Sequence, residues 1–306
     1  MSLSYRGPVL TLIHRMIIWP AEAVFLIVLL AIIALMPAQM ASAIFGHLFA
    51  LIGPFTSWHK RAREQIGYAL PELSPAQTSS VLNGMWKNIG RNFGEYPKMN
   101  ALLEKGYLHF TGLEHLKGHK GGFIIGAHLG NWEALAMIGP LLGLKTGLIY
   151  RPLNNPYIKF LLERRSRSAK ADIYEKGRAG AMGMVATIRK GGFMLLLADQ
   201  QLREGLNIPF FGRPAQTAVG HFKIAAKAGV PVFFAHTKRL RGCHIEIDIS
   251  PPVFLPASAT DKQIQTAAKD MNARFESWIK QHPEQWLWPH RRWGKSVHMA
   301  PKDRSE

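Results

Sequence analysis

A long stretch without charged residues limits what the N-terminal part of the chain can fold into. From Ala23 to Gly46 there is no Asp, Glu, Lys or Arg, and Val24 to Met36 is almost wholly aliphatic. Extended back to Met16, the apolar run reaches the roughly 20 residues that a helix needs to cross the core of a bilayer. We therefore predict a membrane-contacting helix, interrupted near its start by Pro20 and Glu22.

Two kinds of segment share this pattern, a cleaved secretory signal and a retained anchor. The apolar run exceeds the 7–15 residues typical of a signal core, and the basic segment Lys60 to Arg63 follows it. We predict a retained anchor, and a mature chain that starts beyond residue 36 would instead indicate a signal. Positive charges flank both ends, so they do not set an orientation. Residues 41–58 either lie along the membrane interface or re-enter the membrane.

The charge balance of the whole chain indicates acidic partners. The 306 residues include 38 Lys and Arg against 20 Asp and Glu, a formal net charge of +18. Nucleic acid, an anionic membrane, phosphorylated substrates and an acidic carrier protein all fit this excess. The predicted anchor argues against nucleic acid. The single cysteine, Cys243, excludes an intrachain disulfide and favours a reducing compartment.

After the anchor, short apolar runs alternate with helical patterns. Ser74 to Gln77 form a capping-box sequence with Pro75 at the first helical position, and they predict a helix that ends near Tyr96. The candidate strands are Tyr107–Thr111, Gly122–Gly126, Thr146–Tyr150, Phe193–Ala198, Val232–Thr237 and His244–Ile249. The candidate helices are Trp132–Leu142, Asn155–Ser168, Gly180–Lys190, Val219–Ala228 and Asp261–Gln281. This alternation predicts an α/β fold with a mostly parallel central sheet flanked by helices.

A histidine followed five residues later by a carboxylate can supply a general base and the group that orients it. About one such pair is expected by chance for 13 His and 20 acidic residues. The chain has four: His59/Glu64, His109/Glu114, His128/Glu133 and His298/Asp303. Spacing alone therefore does not distinguish a catalytic pair from a loop histidine with an exposed acid.

Sequence context separates His128 from the other three histidines. It follows the buried-strand pattern of residues 123–127, and residues 129–133 lead from it into a helix. His128 should therefore lie at the carboxyl end of a strand, where open α/β sheets build their sites. Glu133 should lie in the first helical turn, from which its carboxylate could reach back to the imidazole.

The sequence around this pair, Gly-Ala-His128-Leu-Gly-Asn-Trp-Glu133, resembles the His-x4-Asp/Glu block of the lysophospholipid acyltransferase superfamily. It is most similar to the lauroyl/myristoyl acyltransferases of lipid A biosynthesis. Matching segments extend over nearly the whole chain: Tyr68–Ser74, Gly84–Trp86, Tyr150–Pro156, Ala198–Gln200, Pro209–Thr217 and His282–Trp293.

The resemblance implies roles for individual residues. His128 would deprotonate the acceptor hydroxyl, with Glu133 orienting and stabilising it, and Arg164 would steady the oxyanion or the donor's phosphopantetheine. Arg151, Arg167 and Asp199 are candidate substrate-binding residues. Residues 1–60 would form the membrane anchor and interfacial segment, and residues 61–306 the catalytic domain. No metal or cofactor is implied.

The resemblance also implies the partners. The acyl donor would be acyl carrier protein, which is small and acidic, and the acceptor an anionic lipid A precursor. The enzyme would lie at the inner membrane with its catalytic domain on the cytoplasmic side. Two alternatives stay open: an acyltransferase for a glycerophospholipid or another glycolipid, and a non-catalytic lipid-binding membrane protein of the same fold. The Tyr150–Pro156 and His282–Trp293 segments argue against the first, and the intact His128/Glu133 pair against the second.

Overall fold

A seven-stranded sheet forms the centre of the computed structural model, which describes residues 12–293. The strands of the chain are β1 (Leu108–Thr111), β2 (Gly122–Gly126), β3 (Thr146–Tyr150), β4 (Ala171–Glu175), β5 (Phe193–Leu197), β6 (Leu206–Phe210), β7 (Arg213–Thr217), β8 (Val232–Arg241) and β9 (His244–Ile249). In the sheet they lie side by side in the order β1, β9, β8, β2, β5, β3, β4, and β6 and β7 form a separate hairpin.

Five neighbouring strands, β8, β2, β5, β3 and β4, run parallel to one another. Strand β9 is antiparallel to β8, and β1 is parallel to β9. The carboxyl ends of the five parallel strands therefore meet at one edge of the sheet. The predicted α/β fold with a mostly parallel sheet is confirmed.

Helices cover both faces of the sheet and precede it in the chain. They are α1 (His14–Leu35), α2 (Ala38–Ile52), α3 (Ser57–Ala69), α4 (Pro75–Glu95), α5 (Met99–Glu104), α6 (Ile138–Leu142), α7 (Phe160–Ala169), α8 (Arg178–Arg189), α9 (Gly220–Ala228) and α10 (Asp261–Gln281). Helix α4 begins with the predicted capping box: the Ser74 side chain accepts from the Gln77 amide, and the Gln77 side chain accepts from the Ser74 amide.

The structure differs from the sequence prediction in two helices and in the number of strands. The helix predicted over Asn155–Ser168 is a 3-10 turn, Pro156–Ile158, followed by α7. The segment predicted as one helix over Trp132–Leu142 begins as a 3-10 helix, Trp132–Met137, and becomes α-helical only at Ile138. Pro140 accounts for this, because it has no N–H to donate to residue 136 and its ring clashes with that carbonyl. Strand β4 and the β6–β7 hairpin were not predicted.

The two faces of the sheet pack against separate apolar layers. Phe123 and Ile125 of β2 belong to a cluster with α4 and α10, whereas Ile124 points into a second cluster on the opposite face. Every residue of β2 is buried. The strand that leads to His128 is therefore held on both faces, and the position at which it ends is fixed by the core.

Helices α1 and α2 follow each other directly in the chain, and α2 packs on α4. Helix α2 lies so close to α4 that a Cβ atom at Gly90 would be 2.1 Å from the Phe45 carbonyl oxygen, and one at Gly94 2.6 Å from that of Ala41. Small residues four apart allow this approach. The outward faces are apolar and exposed: Val24, Phe25, Ile27, Val28, Ile32, Leu35, Met40, Ile44, Leu48, Leu51, Ile52 and Phe55.

Three histidines make the stability of the fold depend on pH. Burial lowers the pKa of His221 to about 3 and the pKa values of His236 and His290 to about 4, from an ordinary 6.5. The unfolded chain therefore binds protons that the folded chain does not as the pH falls below about 6.5. The free energy of unfolding should therefore be unaffected by these histidines at pH 7. It should fall toward pH 4, by up to about 1.4 kcal/mol per pH unit for each histidine.

We expect the free energy of unfolding in detergent micelles to be lower at pH 5 than at pH 7. His221→Phe should reduce this difference, because the His221 ring lies against the Phe123 and Phe222 rings and its replacement does not titrate. Denaturant titrations of both proteins at both pH values measure it. An equal pH dependence in the two proteins would contradict the assignment.

Candidate functional site

The imidazole of His128 is paired with the carboxylate of Asp199. His128 lies two residues past β2 and Asp199 two residues past β5, and these strands are hydrogen-bonded neighbours. The His128 Nδ1 atom is 2.7 Å from Asp199 Oδ1, and the His128 backbone N–H donates to Asp199 Oδ2 at 2.9 Å. Two adjacent parallel strands thus bring the two side chains together at the carboxyl edge of the sheet.

Asp199 is 2% exposed, yet its surroundings keep it ionised. Burial alone would raise the pKa of this carboxyl. The charge of a protonated His128 and the hydrogen bonds from the His128 ring, the Trp286 indole and the His128 amide outweigh burial and lower the pKa to about 2. The indole bond, from Trp286 Nε1 to Asp199 Oδ2, is 2.8 Å long. Asp199 is therefore an anion at neutral pH.

This anion determines which nitrogen of His128 carries the proton. An ionised carboxylate can only accept, so Nδ1 of a neutral His128 must donate to Asp199. The lone pair is then on Nε2, where the Gln200 side-chain amide donates across 3.2 Å. The His128 side chain is 16% exposed. A nitrogen with a lone pair that a substrate hydroxyl can take over from a weak amide donor, on a ring held in one tautomer and partly exposed, is what a general base requires.

Glu133 lies in the first turn of the 3-10 helix, as predicted, but its carboxylate points elsewhere. Its Oε2 atom forms a 3.1 Å ion pair with Nη2 of Arg165, and its backbone N–H donates to the Asn131 side chain. Among residues 12–293, Asp199 rather than Glu133 is the carboxylate bonded to the imidazole. The sequence expectation that Glu133 reaches back to His128 thus differs from the observed contact. A catalytic role for Glu133 stays a prediction.

A cavity of about 230 Å³ lies beside Glu133. It is rich in cationic groups because helix α7 contributes three arginines to its wall. The lining residues are Tyr96, Pro97, Met99, Asn100, Glu133, Ala136, Met137, Arg164, Arg165, Arg167, Ser168 and Ala169. The Arg165 Nε atom is buried without a hydrogen-bond partner in the described part of the chain. The cavity could hold an anionic group of a substrate, since guanidinium groups bind phosphate and carboxylate by paired hydrogen bonds.

The other predicted residues occupy related positions. Arg164 and Arg167 line the cavity, and Arg164 Nη2 donates to the Pro97 carbonyl at 3.3 Å. Arg151 is exposed and follows β3, so it lies at the same sheet edge as His128. Asp199 contacts the imidazole, and its predicted role in substrate binding stays a prediction.

Three residues of the site were not predicted as such: Arg165, Gln200 and Trp286. Gln200 directly follows Asp199 at the end of β5, and this position was the available signal. Trp286 lies in the segment His282–Trp293, for which the sequence showed a family resemblance but no role of its own. Because the Leu287 amide donates to the His128 carbonyl at 3.1 Å, this segment holds the His128 turn directly.

The family described as "Bacterial lipid A biosynthesis acyltransferase" matches residues 12–295. The lipid A biosynthesis lauroyltransferase of Escherichia coli (strain K12) is 28% identical over 249 residues, 76% of this chain and 78% of that protein. The palmitoleoyltransferase of the same strain is 26% identical over 254 residues, 76% of this chain and 77% of that protein. A lipid A biosynthesis acyltransferase of Haemophilus influenzae is 25% identical over 277 residues, 85% of this chain and 83% of that protein.

Among solved structures, the chain is similar to the 1-acyl-sn-glycerophosphate (LPA) acyltransferase PlsC of Thermotoga maritima. The TM-score is 0.38 and the sequence identity 11%, over 78% of this chain and 98% of that one.

Proposed function

Since the chain belongs to the bacterial lipid A biosynthesis acyltransferases, we propose that it moves a fatty acyl group from acyl carrier protein to a hydroxyl of a lipid A precursor, with His128 as general base. The protein is an acyltransferase that takes an acyl donor and a lipid A precursor. The observation that carries the proposal is the His128–Asp199 pair at the carboxyl edge of the sheet, with Nε2 of His128 left as the basic nitrogen.

In the proposed reaction, the acceptor hydroxyl binds at Nε2 of His128 in place of the Gln200 amide. Nε2 takes the hydroxyl proton while the oxygen attacks the thioester carbonyl carbon. The imidazolium that forms is stabilised by Asp199, whose carboxylate is already ionised. When the tetrahedral intermediate collapses, the C–S bond breaks and Nε2 returns the proton to the leaving thiolate. The same proton is used in both steps, so no proton has to be taken from solvent.

The arginine-lined cavity and Arg151 are proposed to receive the anionic parts of the two substrates. Arg164 remains the candidate for steadying the oxyanion or the phosphopantetheine, with Arg167 and Arg151 as phosphate contacts. Arg165 is less available, because it is paired with Glu133. The net charge of +18 would steer both acidic substrates toward this edge.

Transfer should weaken as salt rises, mostly through the apparent KM for acyl carrier protein, because screening acts on exposed contacts. Arg167→Glu should raise this KM with kcat nearly unchanged, whereas Arg164→Glu should lower kcat as well. Arg189→Glu is the matched control, since this exposed arginine ends α8 and precedes β5, at the opposite edge of the sheet. Steady-state kinetics at several salt concentrations measure these effects. A salt-independent KM would leave the excess charge to membrane adhesion alone.

We propose that helices α1 and α2 hold the enzyme on the cytoplasmic side of the inner membrane. Both helices are long and apolar enough to span a bilayer, with mean hydropathies of 2.6 for His14–Leu35 and 1.3 for Ala38–Phe55. Helix α2, however, buries Ser42 and Gly46 against α4. Helix α4 carries many polar residues, so this face of α2 contacts a polar helix and not lipid. The exposed stripe of α2 is therefore proposed to lie along the interface, with α1 as the anchor.

Phe25→Asp combined with Ile32→Asp should release a large part of the protein from membranes. Both side chains are exposed, 68% and 52%, so the fold itself tolerates the change. Each carboxylate at membrane depth costs about 3 kcal/mol. Met182→Asp, at an exposed apolar position of the catalytic domain, is the control. Membrane fractions washed with carbonate measure the effect, and equal retention of all three proteins would contradict the anchor.

The proposed donor and acceptor are tested with purified protein in detergent micelles. Lipid A precursor is incubated with acyl carrier protein thioester or with the same acyl chain on coenzyme A. The expected product is heavier by one acyl group, and it should form much faster from the carrier protein. Transfer only to a lysophospholipid would favour the glycerophospholipid alternative, and binding without transfer the non-catalytic one.

A further inference from the structure

The turn that carries His128, residues 128–131, rests on a buried polar cluster that the proposed reaction does not use. Its centre is Arg239 of β8, whose side chain is 8% exposed and faces the fully buried carboxylate of Glu95 at the end of α4. The guanidinium donates from Nη1 to Glu95 Oε1 at 2.6 Å and from Nη2 to Glu95 Oε2 at 2.9 Å. This is the planar two-bond pairing that arginine makes with a carboxylate.

The other three donors of Arg239 are also used. Nε donates to Asn88 Oδ1 at 2.9 Å, Nη2 to Asn92 Oδ1 at 2.6 Å, and Nη1 to the Gly242 carbonyl at 2.7 Å. A guanidinium has five N–H groups, and all five have an acceptor. Lysine has three donors on a flexible stem and cannot reproduce this planar, forked arrangement of five donors, which we call the fork.

The fork sets the direction of two side-chain amides. Arg239 can only donate, so the oxygens of Asn88 and Asn92 must face it and their NH₂ groups must face the other way. Both NH₂ groups donate to the Gly130 carbonyl, at 2.9 Å and 2.7 Å. Asn88, Asn92 and Glu95 share one face of α4, four and three residues apart. Arg239 therefore fixes the Gly130 peptide through two amides that it orients.

The same cluster holds the rest of the turn. Glu95 Oε2 accepts from Asn131 Nδ2 at 2.7 Å, and Glu95 Oε1 accepts from the Ser42 hydroxyl of α2 at 2.6 Å. Gly130 has a φ of +57°, and a Cβ atom there would lie 2.8 Å from the Thr237 carbonyl oxygen. The turn thus has a backbone conformation that needs both glycine and a fixed peptide direction.

We infer that Arg239 is a positioning residue of the reaction, which through Asn88, Asn92 and Glu95 holds the 128–131 turn in the one conformation that aligns His128 with Asp199. The inference rests on the proposed function for its kinetic consequence, although the contacts themselves do not. Because Arg239, Asn88, Asn92 and Glu95 are largely buried and do not line the arginine-rich cavity, Arg239 should act on kcat and not on substrate affinity. A displacement of about 1 Å in a catalytic group can cost up to about 100-fold in rate.

Two variants test the inference, each with a matched control. Arg239→Lys keeps the charge beside Glu95 but loses the fork. Its control is Arg292→Lys, because Arg292 is also an arginine with little or no exposure but is bonded to the Gln216 carbonyl and the Thr217 hydroxyl. Asn92→Asp keeps an oxygen for Arg239 but turns a second oxygen toward the Gly130 carbonyl. Its control is Asn83→Asp, the same change at an exposed position of α4.

We expect Arg239→Lys and Asn92→Asp to lower kcat by about 10- to 100-fold with KM for both substrates nearly unchanged. The controls should keep the wild-type kcat, even if Arg292→Lys lowers the melting temperature as much as Arg239→Lys. In an Asp199→Asn background, Arg239→Lys should cost only about two- to threefold, because the alignment that it supports is already lost. Full additivity would indicate a purely structural role and overturn the inference.

Hydrogen–deuterium exchange gives a readout that does not depend on catalysis. Backbone amides of the segment 128–134 should exchange faster in Arg239→Lys and Asn92→Asp than in wild type, and at the wild-type rate in the two controls. An inactive wild-type enzyme would remove the proposed function but would leave this result in place. Unchanged exchange in the turn, with wild-type kcat in both variants, would overturn the positioning role.

Discussion

Replacing His128 with alanine is expected to lower kcat for acyl transfer by about 10²- to 10⁴-fold, the range that a lost general base produces. The protein should remain folded and membrane-bound, because the imidazole is partly exposed and lies at the edge of the core. Steady-state transfer to a lipid A precursor measures the loss, and the melting temperature verifies folding.

His109→Ala is the matched control for this prediction. His109 also precedes an acid by five residues, but it lies in β1, and its ring stacks on His244 at the far side of the sheet. His59→Ala, in helix α3, and His298→Ala, which lies outside the described residues, complete the set. Wild-type turnover by well-folded His128→Ala protein would remove the general base from the account.

Asp199→Asn is expected to lower kcat by about 10²- to 10⁴-fold with little change in KM. Asparagine can present its NH₂ group to Nδ1 and so favour the wrong tautomer of His128, and it no longer stabilises the imidazolium. Glu133→Gln should have a smaller effect, because the Glu133 carboxylate is bonded to Arg165 and not to the imidazole. The kcat and KM of the two variants, measured side by side, distinguish the two carboxylates.

A second substitution of Glu133, Glu133→Ala, tests whether this residue orients the imidazole. If Glu133 orients the imidazole in the substrate complex, Glu133→Gln should be milder than Glu133→Ala, and both should be more severe than Asp199→Asn. That ranking would return the orienting role to Glu133. The ranking expected from the contacts has Asp199→Asn as the most damaging of the three.

Local patterns in the sequence were sufficient to predict the strands that form the core. Gly122–Gly126 and His244–Ile249 have the predicted bounds, since uninterrupted or alternating apolar residues need only local information. Strand β4 was missed because it carries Asp172 and Glu175 at the sheet's edge, and β6 and β7 because Pro209 and Pro214 lower the strand signal. The family predicted from the motifs is confirmed.

The contacts of the site depended on information that local patterns do not contain. His128 was identified because a buried strand precedes it, but its pairing with Asp199 requires knowing that β2 and β5 are neighbours. The separation of five residues allowed the prediction that the Glu133 carboxylate reaches the His128 imidazole. The 3-10 turn and Arg165 take its carboxylate in another direction. Likewise, Arg239 is 144 residues from Glu95 in sequence, and no local pattern joins them.

The most direct test of the central claim is the mass spectrum of lipid A from a strain that lacks this protein. Complementation with the wild-type gene should restore a lipid A species heavier by one fatty acyl group, and complementation with His128→Ala at equal expression should not. An unchanged lipid A spectrum in the deletion strain, or full restoration by His128→Ala, would contradict the account.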